Sequence, residues 1–352
     1  MPITDVGLFA VLGTVLVAPF TIKRVERNLE VFLFLMGTIR ASVAATWDRE
    51  LARAAVTEPL IKGIVPAVLV AGLLFHYGRP HVRAFASRLT ARAPVTVIVA
   101  GLVLLLGLVS SVIMAIVAAL VLVEMVQVLP LTRPERVRTV IVACFAIGLG
   151  AALTPLGEPL ATIAISKLQG EPHHANFFFL IDKLALYIFP GIVVFAMLGF
   201  WTAGRRRGNP KDSDVVAQDE EEQTGLHDVG LRALKVYLFV VALVLLGAGF
   251  EPIIDRYLTH VGAAQIFWVN TSSAVLDNAT LTAAELSPKM DLAQIQGSLL
   301  GLLVAGGMLI PGNIPNIIAA HKLRITSKEW ASLGVPLGLA AMGVYFLILY
   351  VL

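Results

Sequence analysis

Leu153-Thr154-Pro155-Leu156-Gly157-Glu158-Pro159 and Leu309-Ile310-Pro311-Gly312-Asn313-Ile314-Pro315 each lie inside a long apolar run, and each carries two prolines four residues apart. A proline inside a helix removes a hydrogen bond and clashes with the preceding turn, at a cost of about 3 kcal/mol or more. Two prolines and a glycine within five residues predict unwound backbone in the middle of a helix. In a bilayer such backbone survives only where it is buried in protein or lines a wet cavity. A kink for packing alone is the other reading, but it requires neither the carboxylate of Glu158 nor the pair Asn313 and Asn316 beside it.

Working outward, the 352 residues are 57% hydrophobic and 14% charged, with mean hydropathy +0.84. An ordinary soluble domain has roughly 45–50% apolar and about 25% charged residues. A spanning helix needs about 20 mostly apolar residues, and the apolar runs have that length, so the composition describes an all-α integral membrane protein. A transmembrane β-barrel, a soluble enzyme, a disulfide scaffold and a disordered chain are excluded. The 27 basic and 24 acidic residues leave a net charge of +3, which reflects basic residues kept in cytoplasmic loops and no nucleic-acid partner. The one cysteine, Cys144, sits in an apolar run and reads as a small buried hydrophobe.

Basic residues cluster at 23–27, 79–92, 133–138, 205–207 and 321–328, and these five places should be cytoplasmic. The first apolar run, 6–22, has its positive charges behind it, the wrong polarity for a cleavable signal peptide. The N-terminus is expected outside, in a multi-pass protein of the cell (inner) membrane. Helices over 29–46 and 60–78 follow, with Asp48, Glu50 and Glu58 between them outside. The apolar segment 94–128 has both ends at basic loops, so it enters and returns, as a helical hairpin or as two short crossings. Residues 139–166 form a broken helix, and 177–201 return inward. The segment 204–228 reads as a charged cytoplasmic linker. After it come a helix over 230–250, a polar-tipped apolar hairpin over 262–288, a second broken helix over 291–321, and a last crossing over 331–351 that ends outside. The expected domains are 1–59 (two extra N-terminal helices), 60–203 (first repeat), the linker, and 229–352 (second repeat). The second half repeats the first with inverted orientation. Ser110-Ser111-Val112-Ile113-Met114-Ala115 aligns with Ser272-Ser273-Ala274-Val275-Leu276-Asp277, and the two Pro-x-x-x-Pro breaks align with each other.

Paired breaks at corresponding points of two halves are the sequence pointer to a transporter site. The first break supplies Thr154, Gly157 and Glu158, with Thr162 just beyond, and the second supplies Gly312, Asn313 and Asn316. Oxygen-rich segments of this kind suit hard cations. Asn270 to Thr282 places Asp277 at the middle of an apolar hairpin, at a cost of roughly 2.5–3.5 kcal/mol on insertion scales, which by default marks an ion path or proton relay. Asp277 also suits the cap of the second hairpin arm, and the two roles are compatible. Glu124 and Glu285 fall near the ends of hairpin arms and read as exposed at the interface. Arg40 and Asp182 pair with other charges or snorkel, and neither is assigned a role. His173 and His174 are adjacent in a short loop and do not form a metal site. No sequence signature of a membrane enzyme is present.

Two halves that each hold a membrane hairpin followed by a broken helix resemble the ion transporter superfamily, which includes D-type Na+/H+ antiporters, arsenite permeases and Na+-coupled carboxylate carriers. The run 272–287 is similar to the second hairpin of the D-type antiporters. Residues 153–164 and 309–320 look like their unwound helices. The resemblance implies cation sites at each hairpin tip and its adjoining break, a homodimer, and an elevator-like motion. Asp277, Asn278 and Thr280, with Ser272 and Ser273, would join Gly312, Asn313 and Asn316 at one site. Ser110 and Ser111 would join Thr154, Gly157 and Glu158 at the other, with Asp277 and Glu158 as the Na+ ligands. The first hairpin departs from the pattern, because Ala115 and Ile116 stand where the second has Asp277 and Asn278, so the two sites are not chemically equivalent.

The function expected is exchange of Na+, or a similar monovalent cation, for H+ across the lipid bilayer, by a secondary antiporter that is not an enzyme and has no cofactor beyond the transported ions. The alternatives are a cation-coupled symporter or exporter of a small anion and, from another class, a membrane-embedded enzyme or assembly subunit.

Overall fold

The structure is a computed structural model that describes residues 3–22, 24–25, 28–61, 88–203, 262–276 and 278–352, with single positions between 66 and 69 and between 230 and 246. Asp277, the linker over 204–228, and most of the helices expected over 60–78 and 230–250 lie outside the described residues. The described residues are helical, with no strand among them. At the N-terminus, α1 (Ile3–Thr21) and α2 (Leu29–Val43) are followed by α3 (Arg49–Ile61), a helix in a stretch that reads from sequence as a connecting segment. There Asp48 accepts the Leu51 N–H at 2.6 Å, which starts the turn.

The central part of the chain forms α4 (Val95–Ile113), α5 (Ala115–Val128), α6 (Arg133–Ala151), α7 (Pro159–Leu168) and α8 (Phe179–Ala203). A single residue, Met114, joins α4 to α5, with φ 70. The two helices pack on one another and both pack on α6, so the chain turns back at Met114. The 14 residues of α5 extend about 21 Å at roughly 1.5 Å per residue, short of a hydrocarbon core of about 30 Å. After residue 262 come α9 (Ala263–Val269), a 3-10 turn at Asn270–Ala274, α10 (Asn278–Glu285), α11 (Leu292–Gly306), a second 3-10 turn at Ile310–Gly312, α12 (Ile314–Lys322) and α13 (Ser327–Tyr350). Here too the chain doubles back, since α9 and α10 both lie against α11.

Helix starts follow local chemistry. The Thr132 N–H donates to the Glu135 carboxylate at 2.9 Å before α6. Asp291 and Gln294 exchange bonds at 2.9 and 2.7 Å before α11, and Thr326 and Glu329 do the same before α13. Such boxes satisfy amides that the first turn leaves open. Arg133 pairs with Glu329 at 3.3 Å and donates to the Arg324 carbonyl at 2.9 Å, so α6 and α13 begin at the same end of the molecule.

Helix α6 is the central element. Residues 139–151 are buried all round, as expected of a helix without a polar face, and α4, α5, α8, α11, α12 and α13 pack on it. The backbones of α4 and α6 cross so closely that a Cβ on Gly150 would strike the Gly107 carbonyl. Among the described residues three helices, α4, α8 and α13, are long and apolar enough to cross a membrane. Their outward residues are large and apolar, with Leu186 80% and Trp201 73% exposed, a surface that suits lipid and not water. These are the features of a helical membrane protein.

The helix breaks fall where the prolines stand. The chain leaves α6 at Ala151 and re-enters helix at Pro159; it leaves α11 at Gly306 and re-enters at Ile314. Pro159 and Pro315 sit in the first turns of α7 and α12, where proline's missing N–H costs nothing. The residues before these helices are both extended, Glu158 at φ -156 and Asn313 at φ -152. Setting Glu158 against Asn313 shifts the proline-to-proline register by one residue. It then pairs Gly157 with Gly312, Ala164 with Ala319, Lys167 with Lys322 and Leu168 with Leu323.

Candidate ion site

Each unwound segment meets the turn of the hairpin before it. At the first crossing the Ala115 N–H, just past the turn, donates to the Gly157 carbonyl at 2.9 Å. Thr154 Oγ1 donates to the Ser111 carbonyl and accepts the Leu156 N–H at 3.2 Å. Ser110 Oγ donates to the carbonyls of Gly107 at 2.8 Å and Ile147 at 3.1 Å, and Ser111 Oγ donates to that of Leu108 at 3.1 Å. Glu158 is buried at the start of α7. The unwound segment folds back tightly on the end of α6, where a Cβ on Gly157 would collide with the Ala151 carbonyl.

At the second crossing Gly312 fills the equivalent place. A Cβ there would lie 2.5 Å from the Gly306 carbonyl and 2.6 Å from that of Ser273 in the hairpin turn. Asn316 Nδ2 spans the break, donating to the carbonyls of Gly306 at 2.8 Å and Leu309 at 2.9 Å, two of the groups that unwinding sets free. Asn278, at the start of α10, is 4% exposed and Ser273 is fully buried. Asn313 lies over Gly148 of α6, and the Phe145 ring lies against Gly307, so the second break packs on the helix that leads into the first. The structure thus brings Ser110, Ser111, Thr154 and Gly157 to one crossing, with Glu158 next to Gly157 in the chain. It brings Ser273, Gly312 and Asn316 to the other, with Asn313 beside them. Ser272 is half-buried in the 3-10 turn, its carbonyl accepting the N–H groups of Val275 and Leu276. Thr280 is on α10, and Asp277 lies outside the described residues.

The polar atoms differ between the crossings. Ser110, Ser111 and Thr154 all donate to carbonyls. At the second crossing, Ser273 Oγ, Asn278 Nδ2 and Asn316 Oδ1 are buried without a hydrogen-bond partner among the described residues. A buried polar atom left unpaired costs about 1–3 kcal/mol, and three at one unwound segment call for a ligand or ordered water.

Several charged residues sit where the sequence does not place them. Glu124 is buried, not exposed at an interface, and forms an ion pair with Lys322 of α12, which is 11% exposed and not part of a basic loop. Lys167 of α7 donates to the carbonyls of Ala283 and Leu286 at the end of α10. The Glu285 carboxylate turns inward to accept the Ser298 hydroxyl at 3.2 Å. Arg40 is fully buried and so does not snorkel. The signal that would have found the two lysines is their shared spacing, nine residues after Glu158 and after Asn313.

Residues 5–352 match the family model described as "Protein of unknown function (DUF1646)". No curated protein sequence matches the chain.

Proposed function

We propose, for a chain that belongs to the DUF1646 family, that it is a secondary antiporter exchanging Na+ or a similar monovalent cation for H+. The observation that carries this reading is the second crossing, where unwound backbone meets a hairpin turn and leaves two oxygens, Ser273 Oγ and Asn316 Oδ1, without partners among the described residues. Hydroxyl, amide and carbonyl oxygens are the ligands of hard cations, and unwound helices are where transporters hold them. Asp277, next to Asn278 in the chain, supplies a charge for which a cation and a proton compete. Glu158 is the corresponding acid at the first crossing.

In this reading the two hairpin-and-break units are repeats of opposite orientation. They move together against α1 and α2 in an elevator-like step, and two copies of the chain form a dimer in the bilayer. The test is purified protein in proteoliposomes with an internal pH dye, to which Na+, Li+ and K+ are added in turn. Cation-dependent alkalinisation or acidification that is lost in Asp277→Asn and reduced in Glu158→Gln is expected. If no cation moves protons under any imposed potential, antiport is wrong, and labelled-Na+ uptake with added anions then tests cation-coupled symport.

A further inference from the structure

A second polar cluster lies away from the crossing. Ser298 is eight residues before Gly306 on α11, roughly 12 Å along the helix. Asn270 and Ser298 are both fully buried. Asn270 Nδ2 donates to the Ser298 carbonyl at 3.0 Å and lies 3.4 Å from its hydroxyl. The Ser298 hydroxyl donates to Glu285 Oε2, and the Asn270 side chain also faces that carboxyl. A carbonyl only accepts, so the Ser298 carbonyl fixes the amide with its nitrogen toward α11 and its oxygen away. Two acceptors then have no donor among the described residues, Asn270 Oδ1 and Glu285 Oε1, and both are shut off from solvent.

We infer that Glu285 is a proton-binding site, its proton carried on Oε1 with Asn270 Oδ1 as the acceptor beside it. One proton from water supplies the missing donor to this pair of acceptors. An ionised Glu285 would instead be a buried carboxylate held by the Ser298 hydroxyl and faced by the Asn270 side chain, with no donor among the described residues on Oε1, which is too little. A monovalent cation is the poorer occupant, because among the described residues the cluster offers it just two side-chain oxygens without a partner, Oε1 and Asn270 Oδ1.

The charged and titratable groups around the cluster are already engaged. Lys167, on the packed face of α7, donates to the carbonyls of Ala283 and Leu286. Asp291 caps α11 through the Gln294 N–H, and His173 bonds the Met290 carbonyl at 2.9 Å. From α13, the Tyr350 hydroxyl lies over Gly297 and donates to the Ala263 carbonyl at 3.1 Å. When the proton leaves, Lys167 is the cation present on the same turn. The site does not depend on the antiport reading, and under that reading it gives the coupled proton a resting place separate from the cation.

The test is infrared difference spectroscopy of the full-length protein in detergent, titrated in Na+-free buffer. A carboxylic-acid C=O band that shifts in D2O is expected at neutral pH, absent in Glu285→Gln and retained in Glu124→Gln. In Ser298→Ala, which removes the one hydroxyl favouring the ionised form, the band shifts in frequency and persists to higher pH. A band unchanged in Glu285→Gln, or no acid band at neutral pH, overturns the proposal, and so does a band unmoved in Ser298→Ala. Loss of cation exchange in liposomes while the band remains would overturn the antiporter and leave the proton site standing.

Discussion

At the first crossing the hydroxyls of Ser110, Ser111 and Thr154 are all spent on carbonyls, and the acid on the returning arm, Glu124, is neutralised by Lys322. At the second, Ser273, Asn278 and Asn316 keep atoms without partners among the described residues, and the acid on the returning arm, Glu285, has a serine where Glu124 has a lysine. The elements occur in the same order and meet in the same way. The difference teaches that close-packed backbone and available ligand atoms are separate properties, since glycine provides the first at both crossings while, among the described residues, hydroxyl and amide oxygens without partners occur at the second.

Four tests probe that contrast. The largest effect is expected at Glu124. Glu124→Gln removes the carboxylate of a largely buried ion pair with Lys322 and should cost about 3–5 kcal/mol, whereas Glu285→Gln, which keeps the shape of a neutral acid and adds a donor, should cost less than about 1 kcal/mol. Unfolding in detergent measures both, and equal losses would dissolve the contrast. Next, Gly157→Ala and Gly312→Ala should each destabilise by about 1–3 kcal/mol through overpacking, the first more because its Cβ meets the Ala151 carbonyl more closely. A tolerated alanine at Gly312 would show that the second tip and break are not held in contact, and one at Gly157 that the first break does not lie against the end of α6.

A smaller effect separates the serines. Ser110→Ala should lose about 1 kcal/mol with its hydrogen bonds. Ser273→Ala, which breaks none, should leave the melting temperature nearly unchanged while weakening cation exchange in liposomes. The smallest effect is expected at the turn itself, where Met114 sits at φ 70, a conformation that costs a non-glycine residue about 1–3 kcal/mol. Met114→Gly should raise stability by up to about 1 kcal/mol after glycine's own entropy cost, seen as a small rise in the same melt.

Much of the fold is legible in the sequence because its causes are local. Proline spacing marks the breaks at 152–158 and 307–313, and apolar length marks α4, α8 and α13. The hydroxyl-bearing turn Asn270–Ala274 stands out for the same reason. What the sequence hides is decided across distance. Glu124 and Lys322 are 198 residues apart, and each alone looks like an interfacial charge. The inward turn of Glu285 depends on Ser298 and Asn270, two ordinary polar residues whose meeting no spacing rule predicts. The one-residue shift in register between the breaks has the same origin, since proline is tolerated at either of the first two helical positions and only the extended residue before the helix fixes the match.

The return arm of each hairpin is held by the other half of the chain, α5 by Lys322 of α12 and α10 by Lys167 of α7. Biosynthesis therefore meets these contacts out of order. As the ribosome delivers the chain, Glu124 and Lys167 enter the membrane region long before residues 283–322 exist, and neither has its final partner until the last third has been made. Residues 1–203 thus carry charge whose structural partners come later in the chain. Their maturation is set by completion of the chain rather than by the folding of either half.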